Sequence, residues 1–226
     1  MPLVELYTSE GCDSCPPADR WLRESFPPGG AQPAAAVLAF HVDYWDRLGW
    51  TDRFAKPAFT ERQYAAATAG GSRTVYTPQI LVQGRDAGLW RNGAVNRAVQ
   101  SAAAAAPPVR IVLTAQPTEG AVTVNVQAMA AEGSTKDVEL RVALTESDLV
   151  SSVTAGENRG VRLEHDHVVR VLSRGVAFGP DRIATETFRL DFAKERGRHP
   201  TVVGFAQDRR TGRVLESVVL PLCNGM

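Results

Sequence analysis

The stretch that most limits what this chain can fold into lies near its middle, in "AAAAAPPVR". Pro107 and Pro108 lack amide hydrogens and have a fixed φ, so the alanine-rich helix before them must stop there. Upstream, strand-like and helix-like segments alternate. "PLVELYT" is a short apolar run, "PPADRWLRESF" has helical spacing through Ala18, Leu22 and Phe26, and "AAAVLAFHVD" reads as a buried strand. "DRFAKPAFTERQYAAATAG" reads as a helix, with Thr60 and Gln63 spaced as a capping box and Gly70-Gly71 as its stop. "PQILVQGRDAGLW" reads as two strands around a glycine turn, and "NGAVNRAVQSAAAAA" as a helix with Asn92 as N-cap.

Downstream of the prolines, short alternating segments follow one another, separated by turn clusters such as "PTEG", "AEGSTK" and "RRTG". They are "VRIVLTAQ", "AVTVNVQAMA", "DVELRVALTES", "HDHVVRVLS", "TETFRLDF", "TVVGFAQD" and "RVLESVVLPL". About seven strands at this spacing suggest a β-sandwich. The expected fold class is therefore an α/β domain over residues 1–106 followed by an all-β sandwich-like domain over 107–226.

Lys plus Arg and Asp plus Glu number 25 each in the 226 residues, so no net field attracts nucleic acid or an anionic membrane. The longest apolar run, from Ala34 to Phe40, is too short to span a bilayer. "MPLVELYTS" has no basic n-region and no long h-region, so the chain as written is expected in the cytoplasm, or in the periplasm if it is a mature form. The sequence leaves the oligomeric state open.

Chemistry concentrates in "TSEGCDSCPPAD". With a strand before it and a helix after it, Cys12 falls just outside a helix N-terminus, where free amides and the macrodipole favour a thiolate. Pro16 and Pro17 occupy the first turn, where a missing N–H costs little. Cys15, three residues on, is placed to close a disulfide with Cys12 or to resolve a mixed one. The expected function is thiol–disulfide oxidoreduction or a redox-responsive role. The alternatives are a non-catalytic binding module whose cysteine pair only responds to oxidation, half of a zinc or copper site completed by His41, or inert thiols. No cofactor is expected. The expected partners are protein or small-molecule thiols and disulfides. Cys223 is expected as a free thiol.

The Cys-x-x-Cys after the first strand, the β-α-β…β-β-α order and Thr77-Pro78 before the third strand resemble a thioredoxin fold. That resemblance implies a cis proline at Pro78 facing the cysteines, with Thr77 offering backbone hydrogen bonds to a bound chain. In finer detail, "ELYTSEGCDSCPPAD", "HVDYWDRLGW", "YTPQILVQG" and "HDHVVR" resemble the bacterial domain-of-unknown-function 1223 family over essentially the whole chain. That family implies no reaction.

Glu5, on the first strand, is either a buried carboxyl that exchanges protons with Cys15 or a carboxylate held by a local ion pair. Asp19, four residues after Cys15, is a second candidate base or a simple complement to the macrodipole. His41, Asp43, Tyr44, Trp45 and Trp50 follow the second strand, on the expected ligand edge of an open sheet. They wall the site, pack the long insertion, or do both. His165 and His167 fall on one face of a strand, where two histidines could bind a metal, but with no third ligand nearby an exposed face is expected. "AGENRG" reads as an ordinary polar loop.

Overall fold

The computed structural model describes residues 1–30, 33–133 and 136–222. The first stretch runs β1 (Leu3–Thr8), α1 (Pro16–Ser25), β2 (Ala36–His41), α2 (Pro57–Ala69), β3 (Gln79–Val82), β4 (Arg85–Asp86) and α3 (Ala94–Ala103). Short 3-10 turns lie at Asp46–Leu48 and Trp90–Asn92. After the two prolines come strands only: β5 (Val109–Thr118), β6 (Ala121–Ala130), β7 (Val138–Ser147), β8 (Leu149–Ser152) and β9 (Arg162–His165). They are followed by β10 (Val168–Leu172), β11 (Val176–Ala177), β12 (Ile183–Asp191), β13 (Arg198–Asp208) and β14 (Val214–Pro221).

All seven expected downstream strands form, and the expected upstream element order is observed. The expected fold class is not. Instead of a thioredoxin-like α/β domain followed by an all-β domain, the molecule is mostly β, and strands from both stretches share one mixed sheet. Its order is β14-β13-β7-β10-β2-β1-β3-β4, with β11 also paired to β7. The junction is β2, which pairs with β1 on one side and with β10, in parallel, on the other, where Val168 faces Ala39. The physical reason is an open edge. Every residue of β2 is buried, so its free backbone groups need a hydrogen-bonding partner, and β10 supplies it.

The core follows the sheet rather than the proline boundary. On one face, Leu38, Phe40 and Phe59 of α2 pack with Ala143, Val169, Val203 and Phe205 from beyond residue 107. On the other face, Leu6, Val37, Ile80 and Val82 meet Ala18 and Leu22 of α1 and Val95 and Val99 of α3. A separate three-stranded sheet, β12-β6-β5, lays Val109, Val122, Val124 and Val126 against Leu140, Val142, Leu144 and Val202. Alternating residues of β7 serve both faces, as strand geometry requires.

Two local expectations change. α2 begins at Pro57, earlier than a Thr60–Gln63 capping box would allow. Thr60 instead bonds Asp43, and the Gln63 amide donates to the Tyr76 carbonyl and to Gln79 Oε1. At α3 the N-cap is Gly93 rather than the expected Asn92; Asn92, one residue earlier, accepts the Ala94 N–H at 3.0 Å.

Candidate functional site

The loop after β1 is two tight turns in series. Cys12 N–H donates to the Ser9 carbonyl at 3.3 Å, and Cys15 N–H to the Cys12 carbonyl at 3.2 Å. This winding brings the two cysteines to a Cα separation of 5.4 Å, and they are joined as a disulfide. Cys15 occupies the N-cap position of α1, with the prolines in its first turn. Ser14 Oγ lies 3.3 Å from the Cys12 sulfur. Both cysteines are fully buried.

Part of their cover comes from beyond residue 107. The Asn158 side-chain amide donates to the carbonyls of Glu10 (2.8 Å) and Cys12 (2.9 Å), and Glu157 accepts the Asp13 N–H. These residues belong to the "AGENRG" loop, whose composition is merely polar. Gly156 lies so close to Trp50 that a Cβ there would meet the Trp50 Cβ at 3.2 Å.

Beside the disulfide is a sealed cluster of ionisable groups. Glu10, Asp52, His41 and His165 are each at most 2% exposed. Glu10 Oε2 accepts the Trp50 indole N–H at 2.7 Å, and its Oε1 lies 3.3 Å from His165 Nε2. Asp52 Oδ2 sits 2.6 Å from His41 Nδ1 and accepts the Glu10 N–H at 2.9 Å, while Oδ1 accepts the Phe54 N–H. The two imidazoles meet edge to face at 4.9 Å, with Phe54 against both. His41 Nε2 and His165 Nδ1 are buried without a hydrogen-bond partner. Asp19 joins through Thr8 Oγ1, which donates to it at 3.3 Å; Thr8 is the register partner of His41.

The environment moves these groups in opposite directions. Burial pulls the His41 pKa down, but the Asp52 carboxylate overrides it and leaves it above its ordinary value. Asp52 is pushed up by burial, yet the His41 charge and backbone N–H bonds hold it below the usual range. Glu10 behaves alike, with hydrogen bonds from His165, Ser151 and Trp50 outweighing desolvation. Asp19 goes the other way: burial raises it, and the two histidines only partly offset that.

The remaining sequence candidates divide. Trp45 packs on Gly11, where an added Cβ would lie 3.0 Å from the Trp45 Cβ, and its indole N–H donates to Thr77 Oγ1 at 2.8 Å. Trp45 thus links the cysteine loop to the Thr77–Pro78 peptide, which is cis. Asp43 accepts the Thr60 hydroxyl at 2.5 Å and ties the insertion to α2. Tyr44 packs on the α2-side core. Glu5 is turned away: alternation along β1 points it to the α2 face, where Arg62 Nη2 (2.7 Å) and Nε (2.8 Å) hold it. That is the local ion pair.

His165 and His167 do not share an exposed strand face. The first ends β9, the second has φ 55° in the turn before β10, and neither is exposed. The cause is that β8 and β9 form their own hairpin, whose end folds onto β2. Cys223 lies outside the described residues. Among the described residues, no three His, Cys, Asp or Glu side chains converge as metal ligands, and Cys12, Cys15 and His41 are not gathered as a set.

Sequence reasoning missed Glu10 and Asp52 as site residues, and it placed His165 on an exposed face and Asn158 in an ordinary loop. Glu10 stands two residues before Cys12, which is the one signal for it in the sequence. Nothing in a linear pattern says that Asp52 or Asn158 will fold back onto it.

The family model described as "Protein of unknown function (DUF1223)" matches residues 3–207. The chain belongs to that family. No curated protein matches it. Among solved structures, the DUF1223 chain is similar to protein AGR_C_4864 from Agrobacterium tumefaciens, at 25% identity and TM-score 0.66, over 97% of this chain and 93% of that one. It is also similar in fold to HBP35 of Porphyromonas gingivalis, at 14% identity and TM-score 0.71, over 98% of this chain and 74% of that one. No described helix is long and apolar enough to cross a membrane.

Proposed function

We propose that Cys12 and Cys15 are a reversible redox couple and that the protein takes part in thiol–disulfide exchange. The observation that carries this reading is the pair itself, wound by two backbone turns into disulfide contact at the N-terminus of α1. In the reduced form, the Cys12 thiolate attacks a sulfur of a partner disulfide and releases one partner thiol. Cys15 then attacks Cys12 in the mixed disulfide, which re-forms the Cys12–Cys15 bond and releases the second thiol. Two electrons pass to the partner. The positive end of the α1 macrodipole and the Ser14 hydroxyl, 3.3 Å from the sulfur, favour the Cys12 thiolate. Trp45 and Thr77 border the approach.

The burial of both sulfurs favours a second reading, in which the couple senses oxidation without turning over a partner. Reduction of a model disulfide such as insulin separates the two: turnover abolished by Cys12→Ser supports exchange catalysis, whereas a couple that titrates without turnover supports the sensor. A Cys15→Ser protein should retain mixed disulfides with partners through Cys12. If dithiothreitol cannot reduce the pair in the folded protein, the redox reading fails.

A further inference from the structure

Reduction of a buried disulfide makes two demands that surface chemistry does not. Two electrons enter, and the sulfurs then need two protons or must remain as thiolates in a medium that solvates them poorly. A thiol reductant attacks Cys12 and expels Cys15 as a thiolate; a second reductant thiol then releases Cys12 and leaves as the reductant disulfide. Cys15 lies inside the protein at that moment, one helical turn before Asp19, whose carboxyl is bonded to Thr8.

Behind Asp19 stand Glu10, His41, Asp52 and His165, supplied by the β1–α1 loop, β2, the insertion after β2, and β9. Two ring nitrogens in this group, His41 Nε2 and His165 Nδ1, lack a hydrogen-bond partner although buried. Unpartnered buried polar atoms are costly and rare, and a group that gains and loses a proton is one reason to keep them. Beyond the Phe54 ring the nearest charges are Arg53 and Arg170, which stack on it, and Asp46 bonds the Asp52 N–H.

We propose that the Glu10–His165 and His41–Asp52 pairs, reached through Asp19, are an internal proton reservoir for the Cys12–Cys15 couple, so that its redox state and the protonation of this cluster are linked. The proposal rests on the redox reading above. It assigns a working role to His165, a residue from the strand-only stretch, and it makes the two stretches parts of one redox centre. Asp19 protonates the departing Cys15, and the histidine–carboxylate pairs restore the Asp19 proton. On oxidation the flow reverses.

The test is the equilibrium constant of the couple against glutathione, read by alkylation and mass spectrometry between pH 5 and pH 8. Glutathione also exchanges two protons, so below the thiol pKa of about 8.5 a couple of ordinary thiols without linked groups gives an equilibrium constant nearly independent of pH, and a lowered Cys12 pKa adds only a slope common to wild type and variants. One linked proton changes that constant up to tenfold per pH unit, about 30 mV for a two-electron couple. The wild type should slope, and His165→Gln and Glu10→Gln should diverge from it with pH. Phe54→Leu disturbs the packing of both imidazoles but removes no titrating group, so its curve should run parallel to the wild type.

Parallel curves for wild type, His165→Gln and Glu10→Gln would overturn the reservoir while leaving the couple intact. A wild-type disulfide that no thiol reduces in the native state would overturn the redox reading and the reservoir with it. Should one variant fail to fold, the other carries the comparison. Should both fail, the wild-type curve still decides, because a flat line refutes linkage.

Discussion

Residues 1–106 and the strands after Pro107-Pro108 are built by different local rules, yet they do not behave as neighbours that merely touch. The first stretch alternates buried apolar strands with helices. The second places strand on strand with turn clusters between. The hydrogen-bonded sheet nevertheless runs through both, and the Arg62 guanidinium lies between Phe40 of the first stretch and Phe205 of the second, near 5 Å from each ring. A change in sequence texture therefore marks where one kind of element gives way to another. It does not mark where the core ends.

Cutting the chain gives the most severe test of this comparison. Residues 1–106 alone would expose the β2 edge and the α2-side face of the core, so we expect no cooperative urea transition from that fragment. A fragment that unfolds cooperatively at the midpoint of the full chain would restore a two-domain view.

Next in size is Phe205→Ala. The side chain is fully buried among residues from both stretches, so the loss should be about 3–5 kcal/mol. Because the core is shared, far-ultraviolet dichroism of the helices and near-ultraviolet signals should report one common transition. Helices that survive past the strands' midpoint would separate the stretches again.

A smaller effect should appear in pH dependence. The folded His41 pKa is raised, so its contribution is complete below about 6.5, the unfolded histidine value, and is lost as pH rises through the folded value. The folded Asp52 pKa is lowered, so its contribution is present above about 3.9 and is lost as pH falls through the folded value. Urea midpoints should thus crest between those limits, and Asp52→Asn should flatten both flanks. Asp19 has the opposite sign for an acid: its raised pKa lowers stability as pH rises, so Asp19→Asn should gain at neutral pH relative to pH 4.

The smallest effect belongs to the most local device. Asn92→Ala removes the bond to the Ala94 N–H and should cost about 1 kcal/mol with no change in the cysteines' reactivity. An altered alkylation rate would mean that even α3 is coupled to the redox loop.

These contrasts follow how much of the molecule was legible in its chain. Asn92, the downstream strands and the helix stop before Pro107 depend on contacts within a few residues, which the order of side chains expresses directly. Cys12 and Cys15 were legible because three residues separate them and a helix start follows. Glu5 lay open between two readings, and only the position of Arg62 on the far face of the sheet decided it. His165 read as exposed because strand alternation cannot say which sheet a strand will join.

By itself, then, the sequence determined element types, the change of texture at Pro107-Pro108, and the cysteine pair at a helix N-terminus. These rest on backbone constraints and short-range periodicity. Only the tertiary structure decided that β2 takes β10 as its neighbour, that Asn158 holds the Cys12 loop, and that Glu10, Asp19, His41, Asp52 and His165 gather in one cluster. Those outcomes depend on which buried backbone edges and charges find partners beyond the reach of local periodicity, and pairing at that range leaves no local trace in the chain.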